Sequence, residues 1–209
     1  MYSKEITEKF LEKYKEFETI RDNDFKRFNY YNKKDPDLFE LFRNIRNNLA
    51  HNSVDGEYPY IVSEDVLKSI TNLVNSMQEK LIERAIHFNH LYYATYKSKI
   101  IDVINEMNKN DFQYIPVIEN GKIRNVFSSN VLLNYMCEHK TIDEKLTMSD
   151  LRDYFGKEVF KFYPKSTFTY EVIDLFHRRF NNKRLIVIFI TENGRNDESI
   201  LGMITSYEV

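Results

Sequence analysis

The sequence predicts an α+β chain, with an all-α helical bundle over residues 1–89 followed by an α/β half over 90–209 that is built from two repeats. Three observations predict it. Before residue 90, apolar residues recur at three- and four-residue steps, the spacing of one helix face. After it, short β-branched runs alternate with helical patterns. The tripeptide Glu119-Asn120-Gly121 returns as Glu192-Asn193-Gly194, 73 residues later, within similar flanks.

Residues 3 to about 30 read as one helix, with Ser3 placed to cap it and Ile6, Phe10, Leu11, Tyr14, Phe17 and Ile20 along its stripe. Asp35-Pro36 opens a second helix, because Asp caps well and Pro fits the first helical position. Leu38, Leu41, Phe42, Ile45 and Leu49 carry its stripe to residue 51. After a loop over 52–59, Ser63 can cap a long helix reaching about His87, with Val66, Ile70, Leu73, Met77 and Leu81 on one face. Three helices with short connections make a small bundle. His87 and His90 near its end lack companions at metal-ligand spacing and read as capping or surface residues.

In the second half, Leu91-Tyr92-Tyr93 is a short strand candidate and residues 100–107 are helical. Residues 114–118 and 123–127 are strands joined by a tight Asn-Gly turn, and a helix follows over 130–138. The order then repeats: a strand over 159–163, a helix over 170–180, a buried strand over 185–190 and a last strand over 200–205. The first repeat thus covers about 90–140 and the second about 145–209. Each is too small to bury both faces of its sheet, so the two are expected to pack together.

Hydrophobic residues make up 42% and charged residues 30% of the 209, the balance of a globular soluble chain. Only 5 Gly and 4 Pro argue against a loop-rich all-β fold. Residues 1–90 hold 14 basic and 16 acidic side chains, so the helical half is no basic nucleic-acid platform. A single cysteine, Cys137, excludes an intrachain disulfide framework, and its apolar neighbours suggest a buried thiol in a reducing cytoplasm. No apolar run is long enough to span a membrane, and no signal-peptide pattern opens the chain. Neither membrane nor DNA is expected as a partner.

The densest polar stretch is 43–52, where Arg46, Asn47 and His51 bring together a guanidinium, an amide and an imidazole. Arg offers a permanent fork for phosphate oxygens. His exchanges protons near neutrality. Phosphodiester cleavage needs both functions. Yet Arg46 and His51 are five residues apart and point about 140° from each other on an ideal helix. Either the helix unwinds near His51 or a second copy completes the site.

Arg46-Asn47-Asn48-Leu49-Ala50-His51 resembles the R-x4-6-H signature of HEPN domains. The resemblance implies a helical, dimeric, metal-independent ribonuclease, with His51 as general acid or base, Arg46 stabilising the phosphorane and Asn47 orienting either. It also suggests a toxin or phage-defence role. Ser53 departs from the Tyr that some toxins of that family carry two places after the His.

The repeated half resembles a pair of CBS motifs, a Bateman module. Met107 followed by Pro116-Val117-Ile118 is similar to that family's helix and Pro-Val strand, and Gly202-Met203-Ile204-Thr205-Ser206-Tyr207-Glu208 to its G-h-h-T/S-x-x-D signature. The resemblance implies that Thr205 and Glu208 hold the ribose of an adenosine nucleotide (AMP, ADP or ATP). In the first repeat Ser128 keeps the hydroxyl, but Asn125 replaces the Gly and Val131 the Asp. Val cannot accept from a ribose hydroxyl. Arg178, Arg179, Lys183 and Arg184 are candidate phosphate contacts. Two functions follow: a homodimeric ribonuclease acting on RNA under nucleotide control, needing no cofactor for catalysis, or a non-catalytic nucleotide-binding regulator whose helical half serves dimerisation or partner binding.

Overall fold

The computed structural model describes residues 4–53, 57–88, 91–156, 159–180 and 183–208. Ser3 and His90 lie outside them. The chain divides into two compact units, Met1–Glu79 and Lys80–Val209.

The first unit contains four helices among its described residues. Helix α1, Lys4–Asn23, buries Phe10, Tyr14, Phe17 and Ile20. It does not run on to residue 30. The Asp24 carboxylate accepts from the Arg27 backbone N–H at 3.0 Å and starts a new helix, α2, Phe25–Lys34. Asp then competes with the helical ladder by capping, as short polar side chains do. Asp35 caps α3, Pro36–His51, by accepting from Leu38 N at 3.1 Å, with Pro36 in the first turn. The buried stripe of α3 is Phe39, Phe42 and Leu49, whereas Leu41 is exposed. Rings from three helices meet here: Phe17, Phe28 and Phe39 lie 4.9–5.1 Å apart, centroid to centroid.

Ser63 caps α4, Glu64–Gln78, which buries Ile70, Val74 and Met77. The helix ends nine residues before His87. Its last carbonyls find side-chain donors instead of another turn: Tyr31 donates its hydroxyl to Ser76 O at 2.7 Å and Arg27 Nη1 donates to Met77 O at 3.3 Å. Glu79 and Lys80 are extended.

The second unit starts at Lys80, so residues 80–88, assigned to the helical half on sequence, belong to it by their packing. Leu81 and Ala85 sit in one core with Val172, Phe176, Leu185 and Ile188. The short helix α5, Leu81–Arg84, leads into strand β1, Ile86–His87, so His87 ends no helix and stands exposed on a strand.

Two sheets follow. In the first repeat β2, Ala94–Thr95, lies parallel to β3, Tyr114–Glu119, with α6, Ile100–Asn110, as the crossover. The first strand therefore starts after Tyr93. Strand β4, Lys122–Ser128, returns antiparallel through Asn120 and Gly121, whose φ values of 52° and 74° are those of a type I′ turn. Helix α7, Ser129–His139, closes the repeat and is followed by a 3-10 helix over Met148–Tyr154. Cys137 is exposed on α7, against the expectation of a buried thiol, because the core face of that helix passes through Val131.

The second repeat has the same topology. Strand β5, Val159–Pro164, lies parallel to β7, Lys183–Thr191, across α8, Thr169–His177, and β8, Gly202–Thr205, returns antiparallel. A two-residue strand β6, Arg179–Phe180, folds back on Lys183 and Arg184. Strand β1 adds to the free edge of β8, pairing Ile86 with Met203 and His87 with Gly202. Ile123 and Val126 from one sheet pack with Val187, Phe189 and Met203 from the other, the mutual burial that the repeat predicts.

The second Glu-Asn-Gly is a wider loop. Glu198 accepts from Asn193 Nδ2 at 2.7 Å and from its backbone N–H at 2.8 Å. These bonds pull its carboxyl down to about 2. A carboxyl depressed when folded adds stability above its unfolded value, near 4.3, and loses it as pH falls through the folded one. Faster amide exchange in residues 192–200 is therefore expected between about pH 4.3 and 2, and a pH-independent exchange profile after correction for intrinsic rates would contradict this.

Candidate functional site

In the helical unit, α3 places Arg46 on the core-facing line of Phe42 and Leu49, four residues after one and three before the other. Arg46 is consequently half-buried, with its guanidinium 6.0 Å from the Tyr14 ring centroid and Nη1 donating to Asn47 Oδ1 at 3.3 Å. Asn47 and His51 are exposed. The helix holds its turn through His51, since Asn52 N donates to Asn48 O at 3.1 Å, so it does not unwind to swing His51 toward Arg46. Arg46 and Asn47 are brought together and His51 is left on another face.

The second unit brings together Thr205 and Glu208. Strand β8 delivers Thr205, 6% exposed, to its end, and the chain turns so that Glu208 folds back. Glu208 Oε2 accepts both the Thr205 hydroxyl and, at 2.6 Å, the Thr205 backbone N–H. Thr-x-x-Glu is the capping-box pattern, and Thr147 with Asp150 makes the same pair of contacts with the shorter acid. Thr205 Oγ1 accepts from Tyr207 N at 3.3 Å. The other carboxylate oxygen has no hydrogen-bond partner among the described residues.

These side chains line a cavity of about 280 Å³ together with Asp111, Gln113, Tyr114 and Tyr207. Both repeats contribute. The Tyr207 hydroxyl donates to Gln113 Oε1 at 3.0 Å, tying the second repeat to the loop that enters β3. Sequence reasoning missed Asp111, Gln113, Tyr114 and Tyr207. The Tyr-Ile-Pro-Val strand start and the T-x-x-E frame marked their neighbourhoods, but only folding puts positions 113 and 207 in contact.

Gly202 has a local reason. A Cβ there would lie 2.9 Å from Ala85 Cβ and 3.1 Å from Ile86 O, so the glycine admits strand β1. Gly202→Val is expected to destabilise the chain by about 2 kcal/mol through overpacking against backbone, read as a lower urea midpoint. An unchanged midpoint would show that β1 yields at no cost.

Ser128 does not join this cavity. It is 3% exposed, ends β4 opposite Tyr114 and precedes the first turn of α7. Three residues on, Val131 is 1% exposed in the apolar core of the first repeat. Asn125, in place of the signature glycine, donates to the Tyr96 hydroxyl at 2.6 Å. Arg178, Arg179, Lys183 and Arg184 line none of the cavity, since β6 and β7 hold the last three in a hairpin and Lys183 donates to Gly156 O at 2.8 Å. No group of three His, Cys, Asp or Glu among the described residues is placed to hold a metal ion. No helix among them is long and apolar enough to cross a membrane.

No family model matches the sequence, and no curated protein matches it. Solved structures do resemble the fold. A haemolysin-like protein containing a CBS domain, from Oenococcus oeni PSU, is 14% identical, with 66% of this chain and 93% of that one covered and a TM-score of 0.47. A functionally unknown conserved domain from Neisseria meningitidis MC58 is 13% identical over 83% of this chain and 99% of its own, with a TM-score of 0.49. CBSX2 in complex with AMP is 16% identical over 63% and 92%, with a TM-score of 0.44. CBS-domain proteins are thus among the structures this chain is similar to.

Proposed function

We propose that the chain is a nucleotide-binding regulator that takes an adenosine nucleotide in the cavity of Thr205 and Glu208. One observation carries this reading: a buried hydroxyl and a carboxylate with one oxygen unpartnered among the described residues line a cavity to which both repeats contribute side chains. A carboxylate accepting from vicinal hydroxyls is a ribose contact. The Tyr114 and Tyr207 rings supply apolar faces for a base, and about 280 Å³ lies near the small end of ligand sites, which start around 300 Å³. A ligand bridging Gln113 and Thr205 would favour one arrangement of the repeats over another, which is how binding becomes a signal. Calorimetry with AMP, ADP and ATP tests it, and no heat with any of the three removes it.

The second reading, a metal-independent ribonuclease in the helical unit, is favoured by the Arg46–Asn47 hydrogen bond, which pre-orients a half-buried guanidinium. Because His51 stands on another face of the same unbroken helix, this reading requires a homodimer in which one copy supplies Arg46 and its partner copy the imidazole. Light scattering and cleavage of single-stranded RNA in excess chelator test it together. A monomer at high micromolar concentration, or equal cleavage by His51→Ala, rejects it.

A further inference from the structure

We propose that the cavity of Thr205 and Glu208 ranks adenosine ligands by charge, taking those with fewer phosphates more tightly, and that Asp111 sets this preference. The inference rests on the nucleotide reading and adds the specificity of that site. Among the described residues, those lining the cavity include two acids, Asp111 and Glu208, and no lysine, arginine or histidine. A cation touches the segment from outside: Arg84 Nη1 donates to the Glu208 backbone carbonyl at 3.4 Å, and Arg84 does not line the cavity. Two carboxylates against one guanidinium leave the site net negative.

Phosphate is ordinarily met by Arg, by Lys or by the N-terminus of a helix. The helix end at this cavity is the opposite pole. Helix α6 ends at Asn110, and Asp111, Phe112 and Gln113 carry the chain from it along the cavity wall. A helix C-terminus acts as about half a negative charge, which adds to the two carboxylates.

Nothing local asks for an acid at position 111. Asp111 has φ 55° and ψ 35°, the left-handed conformation that ends many helices and that Gly or Asn adopts with less strain. Its backbone N–H donates to Met107 O, a bond that needs no particular side chain. A carboxylate at this end also opposes the helix dipole. Asp111 is exposed, and its carboxylate has no hydrogen-bond or ion-pair partner among the described residues. Its charge therefore acts undiminished on whatever the cavity binds.

This charge separates ligands that share a base and a ribose. Adenosine is neutral, and each added phosphate brings at least one more negative charge. Repulsion between unit charges about 10 Å apart, in surroundings between protein and water, weakens binding roughly threefold. The preference therefore grows stepwise from adenosine through AMP and ADP to ATP.

The test is calorimetry on the full chain with adenosine, AMP, ADP and ATP, in chelator so that no divalent cation masks the phosphates. Affinity is expected to fall at least about threefold from adenosine to AMP and again from AMP to ATP at low salt. The differences are expected to shrink as ionic strength rises to about 1 M, where the screening length is about 3 Å, whereas selection by size would persist. Asp111→Asn keeps a residue that tolerates the left-handed turn and removes the charge. It is expected to strengthen ATP about threefold, to leave adenosine unchanged and not to lower the Tm. A merely structural Asp111 would shift all four ligands alike or lower the Tm. ATP binding as tightly as adenosine at low salt, a preference that salt does not move, or an adenosine-to-ATP ratio unchanged in Asp111→Asn overturns the inference and leaves the nucleotide reading standing. No heat with AMP, ADP or ATP removes that reading, and the inference with it.

Discussion

Calorimetry on the full chain is expected to find one adenosine-nucleotide site, and Glu208→Ala is expected to weaken it by at least about tenfold, the effect of losing a hydrogen bond to a charged group. The Glu208 carboxylate does two jobs at once. Oε2 caps the Thr205 hydroxyl and N–H, and the other oxygen of this cavity-lining side chain has no hydrogen-bond partner among the described residues. Binding through that oxygen leaves the capping box intact, so the free and bound chains need not differ at Thr205. Two milder variants separate the jobs. Glu208→Gln keeps a carbonyl to accept from Thr205 and removes the charge, so it should fold like the parent and bind more weakly. Thr205→Val keeps the shape and removes both the acceptor for Tyr207 N and a donor to Glu208, so it should lose affinity together with some order at 206–208. Tight binding that survives Glu208→Ala would take the carboxylate out of the site.

Val131→Asp, which restores the missing acid of the first signature, is expected to create no second site and to destabilise the chain by about 4 kcal/mol, the scale of an uncompensated buried charge. Val131 packs with Val103, Ile115 and Met148 and is 1% exposed. A carboxyl there has its pKa raised by desolvation. The sign follows: with the folded value above the unfolded value near 3.9, the penalty is smallest below pH 4 and grows as pH rises toward the folded value. Urea midpoints at pH 4 and pH 7 read it directly. A second nucleotide site in this variant, or a penalty that shrinks as pH rises, would mean that position 131 faces the cleft.

Much of the architecture was legible because local chemistry and tertiary context agree. The Phe10, Tyr14, Phe17 and Ile20 stripe, the Asp35-Pro36 start and the Asn120-Gly121 turn each rest on forces acting within a few residues. The failures fall where a distant partner intervenes. The break at Asp24 was invisible because the apolar period runs on past it. The end of α4 at Gln78 was invisible because Tyr31 and Arg27, far back in the chain, satisfy its carbonyls. Leu81 continues the helical spacing of α4, yet it is buried in a core of the other unit.

The sequence by itself determined the periodic faces, the turns and the repeated order of strand and helix, since a side chain's offset along one element sets the face it shares. It also presented Thr205 with Glu208 and Arg46 with His51 as candidate pairs, the second already offset by about 140° on an ideal helix. What the tertiary structure decided is whether each pair meets. At the end of β8 the chain turns, so three residues of separation become a direct hydrogen bond beside side chains from the first repeat. On α3 the helix stays intact and Arg46 is held toward Tyr14, so five residues of separation remain an angular offset that no local rearrangement removes.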